Sequence, residues 1–310
     1  MQKILRFIRP WVVPALAAIL FVGLVLLLIP FRNTIQFDVD EGYNLMRSYL
    51  LGKGYPLYSQ VSSDQPPLFT YMLAGVLAMA NNSMLAARLF VLLHAAMAAF
   101  FGAWLLNREW GRAAAWLLIP LLLLIPAFGR LSASVMIGLP ATAWSFAAFT
   151  LLLYWTQKKN TPALLLSAVM LAVGVWIKLY VALTLPVFAG VLMFGGFAGQ
   201  NDGSLWPKLR PTLIFGGVFT VLSLLVIFLF IGAGNFGEII RPHMMGANAW
   251  SFEWSLTDQA KTTPEVWWML ALAVPSLFYT FFLNKDGSEP NLTSPKSITC
   301  LLYTSPSPRD

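Results

Sequence analysis

Charge is scarce in this chain. Only 11% of its 310 residues are Asp, Glu, Lys or Arg, against 58% hydrophobic, whereas a soluble domain carries about 25% charged residues to keep its surface wet. That shortfall excludes an ordinary soluble globule. Cysteine is nearly missing, and the single Cys300 rules out intrachain disulfides and any cysteine-based metal centre. No glycine-rich loop follows a strand pattern and opens a helix, so neither ATP nor a nucleotide sugar has a berth. Nor is there an internal repeat of about 20–50 residues.

What the chain has is apolar runs. A helix rises ~1.5 Å per residue, so about 20 apolar residues cover the ~30 Å of a bilayer's hydrocarbon. Lys3, Arg6 and Arg9 precede the first run, 11–29. Pro30-Phe31-Arg32 after it offers no small-residue cleavage site, which predicts a signal anchor with a cytoplasmic N-terminus. Further runs cover 67–80, 84–106, 113–129, 138–156, 161–177, 179–197, 211–232 and 264–283. The expected fold class is an all-α polytopic membrane protein, one transmembrane module over residues 1–283 followed by a polar tail at 284–299.

The net charge of +7 does not point to nucleic acid, because no basic stripe or recognition motif supports it. The basic residues sit in short clusters between runs, at Arg108/Arg112, Lys158/Lys159, Lys208/Arg210 and Lys285, as topology signals do. If all are cytoplasmic, only one crossing fits between the first outer loop and Arg108. The run 67–80 is short of a full span, so it is expected as a partial or re-entrant helix, with 84–106 as the crossing. The competing reading makes both full spans and reverses every later loop. Residues 300–310 (CLLYTSPSPRD) resemble the translation of a transposase-type sequencing adaptor, an expectation under which Cys300 is foreign and the natural chain continues past Thr299.

Residues 31–66 are polar, with Leu45, Tyr49 and Leu50 spaced for a short amphipathic helix. The informative segment is Phe37-Asp38-Val39-Asp40-Glu41-Gly42-Tyr43. Three carboxylates within four residues repel one another unless cations or a metal compensate, and acid–base work and metal binding both exploit such crowding. The ordinary alternative is a loop that needs charge to stay hydrated. The calcium-loop pattern fails, because no third Asp or Asn precedes the glycine.

Taken with Leu50-Leu51-Gly52-Lys53-Gly54-Tyr55-Pro56-Leu57-Tyr58, Asp64-Gln65-Pro66-Pro67-Leu68 and Ala86-Ala87-Arg88-Leu89, this segment resembles the protein O-mannosyltransferase-like membrane glycosyltransferases. Their bacterial relatives include the enzyme that adds aminoarabinose to lipid A. The likeness continues through Ser134-Val135-Met136-Ile137-Gly138-Leu139-Pro140 and Ala172-Val173-Gly174-Val175-Trp176-Ile177-Lys178, and covers most of residues 37–190.

The resemblance implies a GT-C-type multi-span helical bundle with a structured first external loop, a polyprenyl-phosphate sugar donor and inversion at the anomeric carbon. It places Asp40 at the family's catalytic acidic position and Glu41 as its partner, with Asp38 and Tyr43 on the substrate. Gln65 stands where the family often has lysine, and Gly138 where it commonly has an acidic residue. Lys178 is expected to bind the donor phosphate, since it interrupts an apolar stretch where a central charge costs ~2.5–3.5 kcal/mol; a snorkelling lysine at a helix end is the alternative. Arg130, Arg241 and His243 are further candidates, although single basic residues at span ends are usually anchors. His94, amid apolar residues, is expected to make a helix–helix hydrogen bond.

The expected function is therefore sugar transfer to a lipid, glycan or protein acceptor at the outer face of the plasma (inner) membrane. No organic cofactor is implied; the clustered carboxylates are chemically suited to a divalent cation. A lipid or small-molecule transporter or flippase, or an inactive glycosyltransferase-like assembly partner, are the competing readings.

Overall fold

The computed structural model describes residues 2–35, 37–194, 206–232, 235–237 and 239. The expected run 264–283, the tail 284–299, residues 300–310, Arg241 and His243 lie outside the described residues. About 82% of the described residues are helical, and no strand occurs among them.

Ten α-helices follow in order: α1 (Gln2–Leu28), α2 (Val39–Gly52), α3 (Pro67–Met79), α4 (Met84–Glu109), α5 (Arg112–Leu124), α6 (Pro126–Ala133), α7 (Gly138–Lys158), α8 (Thr161–Ile177), α9 (Leu185–Phe194) and α10 (Trp206–Val226). By length and composition, three segments can cross a membrane: Trp11–Leu28, Met84–Glu109 and Leu209–Ile231. These are the features of an all-helical membrane protein.

Two expected runs are broken. The stretch 113–129 is no straight helix: α5 and α6 meet at 85°. Pro126 explains the corner. Its ring disfavours helical geometry in the residue before it, and Ile125 adopts φ −89°, ψ 102°. The stretch 179–197 is a 3-10 turn (Leu179–Thr184) followed by the ten-residue α9. Lys178, with φ −152° and ψ 124°, ends α8 in extended backbone. The short run at 67–80 forms α3, whose 13 residues span ~20 Å.

The core runs through α1, α3, α4, α5 and α7–α10, with Phe21, Leu73, Val91, Ile119, Leu152 and Leu171 buried in it. Helices α1 and α4 are antiparallel. Trp11, near the start of α1, stacks on Trp104 toward the end of α4 at 5.2 Å between centroids, while Arg88, in the first turns of α4, reaches Phe31 beyond the end of α1. The other end of the bundle is basic: the Arg108 guanidinium lies 5.0 Å from the Tyr154 ring centroid, close to Arg112, Lys158 and Lys159.

His94 does not bond across helices as expected. Its Nδ1 lies 2.8 Å from the Phe90 carbonyl one turn back in α4, the nearest acceptor on its own helix.

Helices α7 and α8 approach backbone to backbone at Gly174, where an added Cβ would lie 3.3 Å from the Ala141 carbonyl oxygen and 3.3 Å from the Ser145 nitrogen. Gly190 of α9 has open space at the same distance. Gly174→Leu is therefore expected to destabilise the protein by about 1–3 kcal/mol through overpacking, read as an earlier melting transition in detergent, whereas Gly190→Ala leaves melting within experimental scatter. Equal melting of the two variants would contradict the close approach.

Candidate functional site

The acidic segment is the start of a helix rather than a loop. Asp38 caps α2, its Oδ1 accepting the Asp40 backbone N–H at 3.2 Å. Asp40 and Glu41 occupy the first turn, where negative charge meets the positive end of the helix dipole. Consecutive residues on a helix point about 100° apart, so the three carboxylates diverge. This relieves the crowding that the sequence alone suggests.

Glu41 turns inward. It is 0% exposed and is held by Arg88, itself 2% exposed. The pair is bidentate, with Nε to Oε1 at 2.9 Å and Nη2 to Oε2 at 3.0 Å. Oε1 also accepts the Val135 N–H and Oε2 the Phe37 N–H, each at 3.1 Å. A carboxylate offers about four acceptor positions, and here all four are taken. Arg88 is as fully used: Nη1 donates to the carbonyls of Phe31 (2.6 Å) and Thr34 (2.9 Å), Nη2 also to that of Ile35 (3.4 Å), and its guanidinium lies 4.6 Å from the Phe37 ring centroid. Glu41, Asn44 and Ser48 form the buried face of α2. Asn44 donates to the Val135 carbonyl at 2.8 Å, so α2 is sewn to the segment before α7 at two successive turns.

Asp40 points the other way. It is exposed, and its carboxylate makes no ion pair or hydrogen bond among the described residues. Tyr43, one turn on, is exposed as well. Asp38 Oδ2 lies 3.9 Å from Nη2 of Arg130, whose side chain is 57% exposed, a loose pair that leaves the guanidinium largely in contact with its surroundings.

Gln65 is engaged locally. Its Nε2 donates to Asp64 Oδ2 at 2.8 Å, and Asp64 pairs with Arg47 of α2 at 3.0 Å. Burial pushes the Asp64 carboxyl up, but the hydrogen bonds from Gln65 and the backbone, together with Arg47, outweigh it and hold the group below the ordinary carboxylate range. Tyr58 donates to the Gln65 carbonyl at 2.8 Å, and burial raises its hydroxyl so far that this donor persists at any ordinary pH. Leu57, Tyr58 and Val61 pack with Trp176 and Ile231 in a second apolar cluster. This clamps the 53–66 loop over the end of α8.

Lys178, two residues past Trp176, is half-buried, its Nζ 5.4 Å from the Tyr180 ring centroid. Tyr180 donates to the Gly138 carbonyl at 3.0 Å. Contacts thus run without a gap from Arg130 and Asp38 through α2, Val135 and Gly138 to Tyr180 and Lys178.

No protein-family profile, characterised protein or solved structure matches the chain. The site therefore rests on its own geometry. Among the described residues, no group of three His, Cys, Asp or Glu side chains is gathered to hold a metal. The residue that sequence reasoning passed over is Arg88. It lies within a quoted motif yet was assigned no role, although a lone arginine in an apolar run is itself a signal.

Two outcomes follow. Arg88→Met leaves Glu41 buried without its cation, and a buried charge stripped of its partner costs about 3–5 kcal/mol; chemical denaturation in detergent should show a loss of that order, and an unchanged midpoint would contradict the burial. Because the Asp64 pKa is lowered in the folded state, its contribution is complete above the ordinary carboxylate range and fades only as pH falls through the lowered value. Pepsin cleavage within 53–66 should accordingly rise at the acid end of a pH series and lose that dependence in Asp64→Asn; cleavage independent of pH in the wild type would exclude the clamp.

Proposed function

We propose that this chain is an inverting glycosyltransferase of the GT-C type, moving a sugar from a polyprenyl-phosphate donor to an acceptor at the outer face of a cell membrane. The observation that carries the reading is the contrast between adjacent carboxylates. Glu41 is saturated and locked, whereas Asp40 is uncommitted, exposed and held in a fixed direction by its neighbour. That is what a general base needs: a free lone pair on a rigid mount.

The acceptor hydroxyl attacks the anomeric carbon from the face opposite the phosphate. A carbon–oxygen bond forms, the bond to the phosphate oxygen breaks, and polyprenyl phosphate leaves with the electron pair. Asp40 takes the hydroxyl proton. Lys178 and Arg130 are the cations available to stabilise charge on the departing phosphate. Glu41 is given a positioning role in place of a chemical one, because its acceptor positions are filled. Asp38 caps the helix that carries the base, and Tyr43 flanks it.

The ends of the bundle support the orientation. Arg108, Arg112, Lys158 and Lys159 gather at one end and the carboxylates at the other, so the positive-inside rule puts the basic end in the cytoplasm and Asp40 outside. A donor whose tail stays in the bilayer meets the site at the interface and need not be extracted.

Incubation of the full chain with labelled polyprenyl-phosphate sugar and a membrane extract as acceptor source tests the reading. Loss of a general base lowers rates by about 10²–10⁴-fold, so Asp40→Asn should lose transfer to that extent while melting like the wild type. Transfer that persists in a folded Asp40→Asn would remove the residue from the mechanism.

A further inference from the structure

The junction of α7 with the end of α8 carries a polar cluster of which the reaction above uses only Lys178. The Tyr180 hydroxyl lies 2.6 Å from Thr142 Oγ1, and both hydroxyls lie within reach of one carbonyl, that of Gly138, at 3.0 and 2.9 Å. Two protons are thus shared among three short contacts. One hydroxyl can keep the carbonyl satisfied while the other swings its proton elsewhere, with no heavy atom moving.

The surroundings of this pair are open. Thr142 is exposed and Tyr180 is 43% exposed. A Cβ added at Gly138 would meet nothing within 4 Å. The Lys178 ammonium is held against the Tyr180 ring, and among the described residues no carboxylate pairs with it. An ammonium and two adaptable hydroxyls, bordering a space with no side chain, match a tetrahedral oxyanion: the cation supplies charge and the hydroxyls supply directional donors. A sugar alone would have no use for the unpaired charge.

We propose that Lys178, Tyr180 and Thr142 bind a phosphate in the space over Gly138, with Tyr180 and Thr142 as binding residues and the missing side chain at 138 as the feature that admits the anion. That the phosphate is the lipid-linked donor's rests on the glycosyl-transfer reading. An acidic side chain at 138 would fill the same space and set its own charge beside the ammonium, shutting the anion out.

Binding, measured apart from transfer, tests this. The full chain in phosphatidylcholine nanodiscs is titrated calorimetrically with farnesyl phosphate, farnesol and inorganic phosphate, and empty nanodiscs are subtracted. Farnesyl phosphate should bind the wild type at least about tenfold more tightly than either other probe, because charge-assisted bonds and a prenyl chain act together. Gly138→Glu should weaken farnesyl phosphate by about tenfold or more and leave farnesol unchanged, whereas Gly138→Ala stays within about threefold of wild type. The double variant Tyr180→Phe/Thr142→Val, which adds no charge, should weaken farnesyl phosphate in the same direction and serves if Gly138→Glu does not fold.

A folded Gly138→Glu that binds farnesyl phosphate as the wild type does overturns the site. Inorganic phosphate binding as tightly as farnesyl phosphate overturns the lipid-linked source. Neither result touches the role of Asp40, which is judged by sugar transfer alone.

Discussion

A carboxylate and a guanidinium, both closed off from solvent, hold the polar end of this protein together. Glu41 and Arg88 lie 47 residues apart in sequence and meet through two parallel bonds of 2.9 and 3.0 Å. Desolvating either group alone would cost several kcal/mol. The structure offsets that cost by giving every remaining donor and acceptor a backbone partner. Those partners are the carbonyls of Phe31, Thr34 and Ile35 after α1 and the amides of Phe37 and Val135. One ion pair therefore fixes α1's exit, α2's start, α4's first turns and the approach to α7. In low dielectric such a network is geometrically strict, and strictness is what a mounted catalytic carboxylate requires.

The same constraint divides labour within a single helical turn. The inward residue is exhausted by structure, and its neighbour is left free. Around them, polarity is arranged by helix ends: Asp38 at the cap of α2, Lys178 at the close of α8, and Gly138 at the opening of α7. Each is a place where the chain stops being helical. Polar groups near an apolar bundle are tolerated there because backbone and side chains satisfy one another. Chemistry on the bundle can therefore gather only at its rim.

Much of this was legible in the sequence. Apolar runs must be long to cross hydrocarbon, and α1, α4 and the 211–232 region stand out for that reason alone. The run 67–80 was visibly too short. The break at Pro126 was present in the residues but invisible to hydropathy, which averages over the backbone consequence of one proline. The contrast between Asp40 and Glu41 could not be read from composition, since both are acids in one motif. It emerges only when helical spacing aligns Glu41 with Asn44 and Ser48 and when Arg88 is recognised as the cation opposite. Lys178 looked like a charge inside a span, because nothing local announces that its own extended backbone ends the helix. The meeting of Tyr180 with Gly138, 42 residues away, is a product of tertiary packing.

A double-mutant cycle on Glu41→Gln and Arg88→Met, read by chemical denaturation of the detergent-solubilised protein, addresses the central pairing most directly. Residues in direct contact show interaction energies of about 0.5–3 kcal/mol, and a sealed bidentate pair belongs at the upper end. The double variant should be little less stable than the worse single one. Losses that simply add, with no coupling between the two positions, would contradict the account.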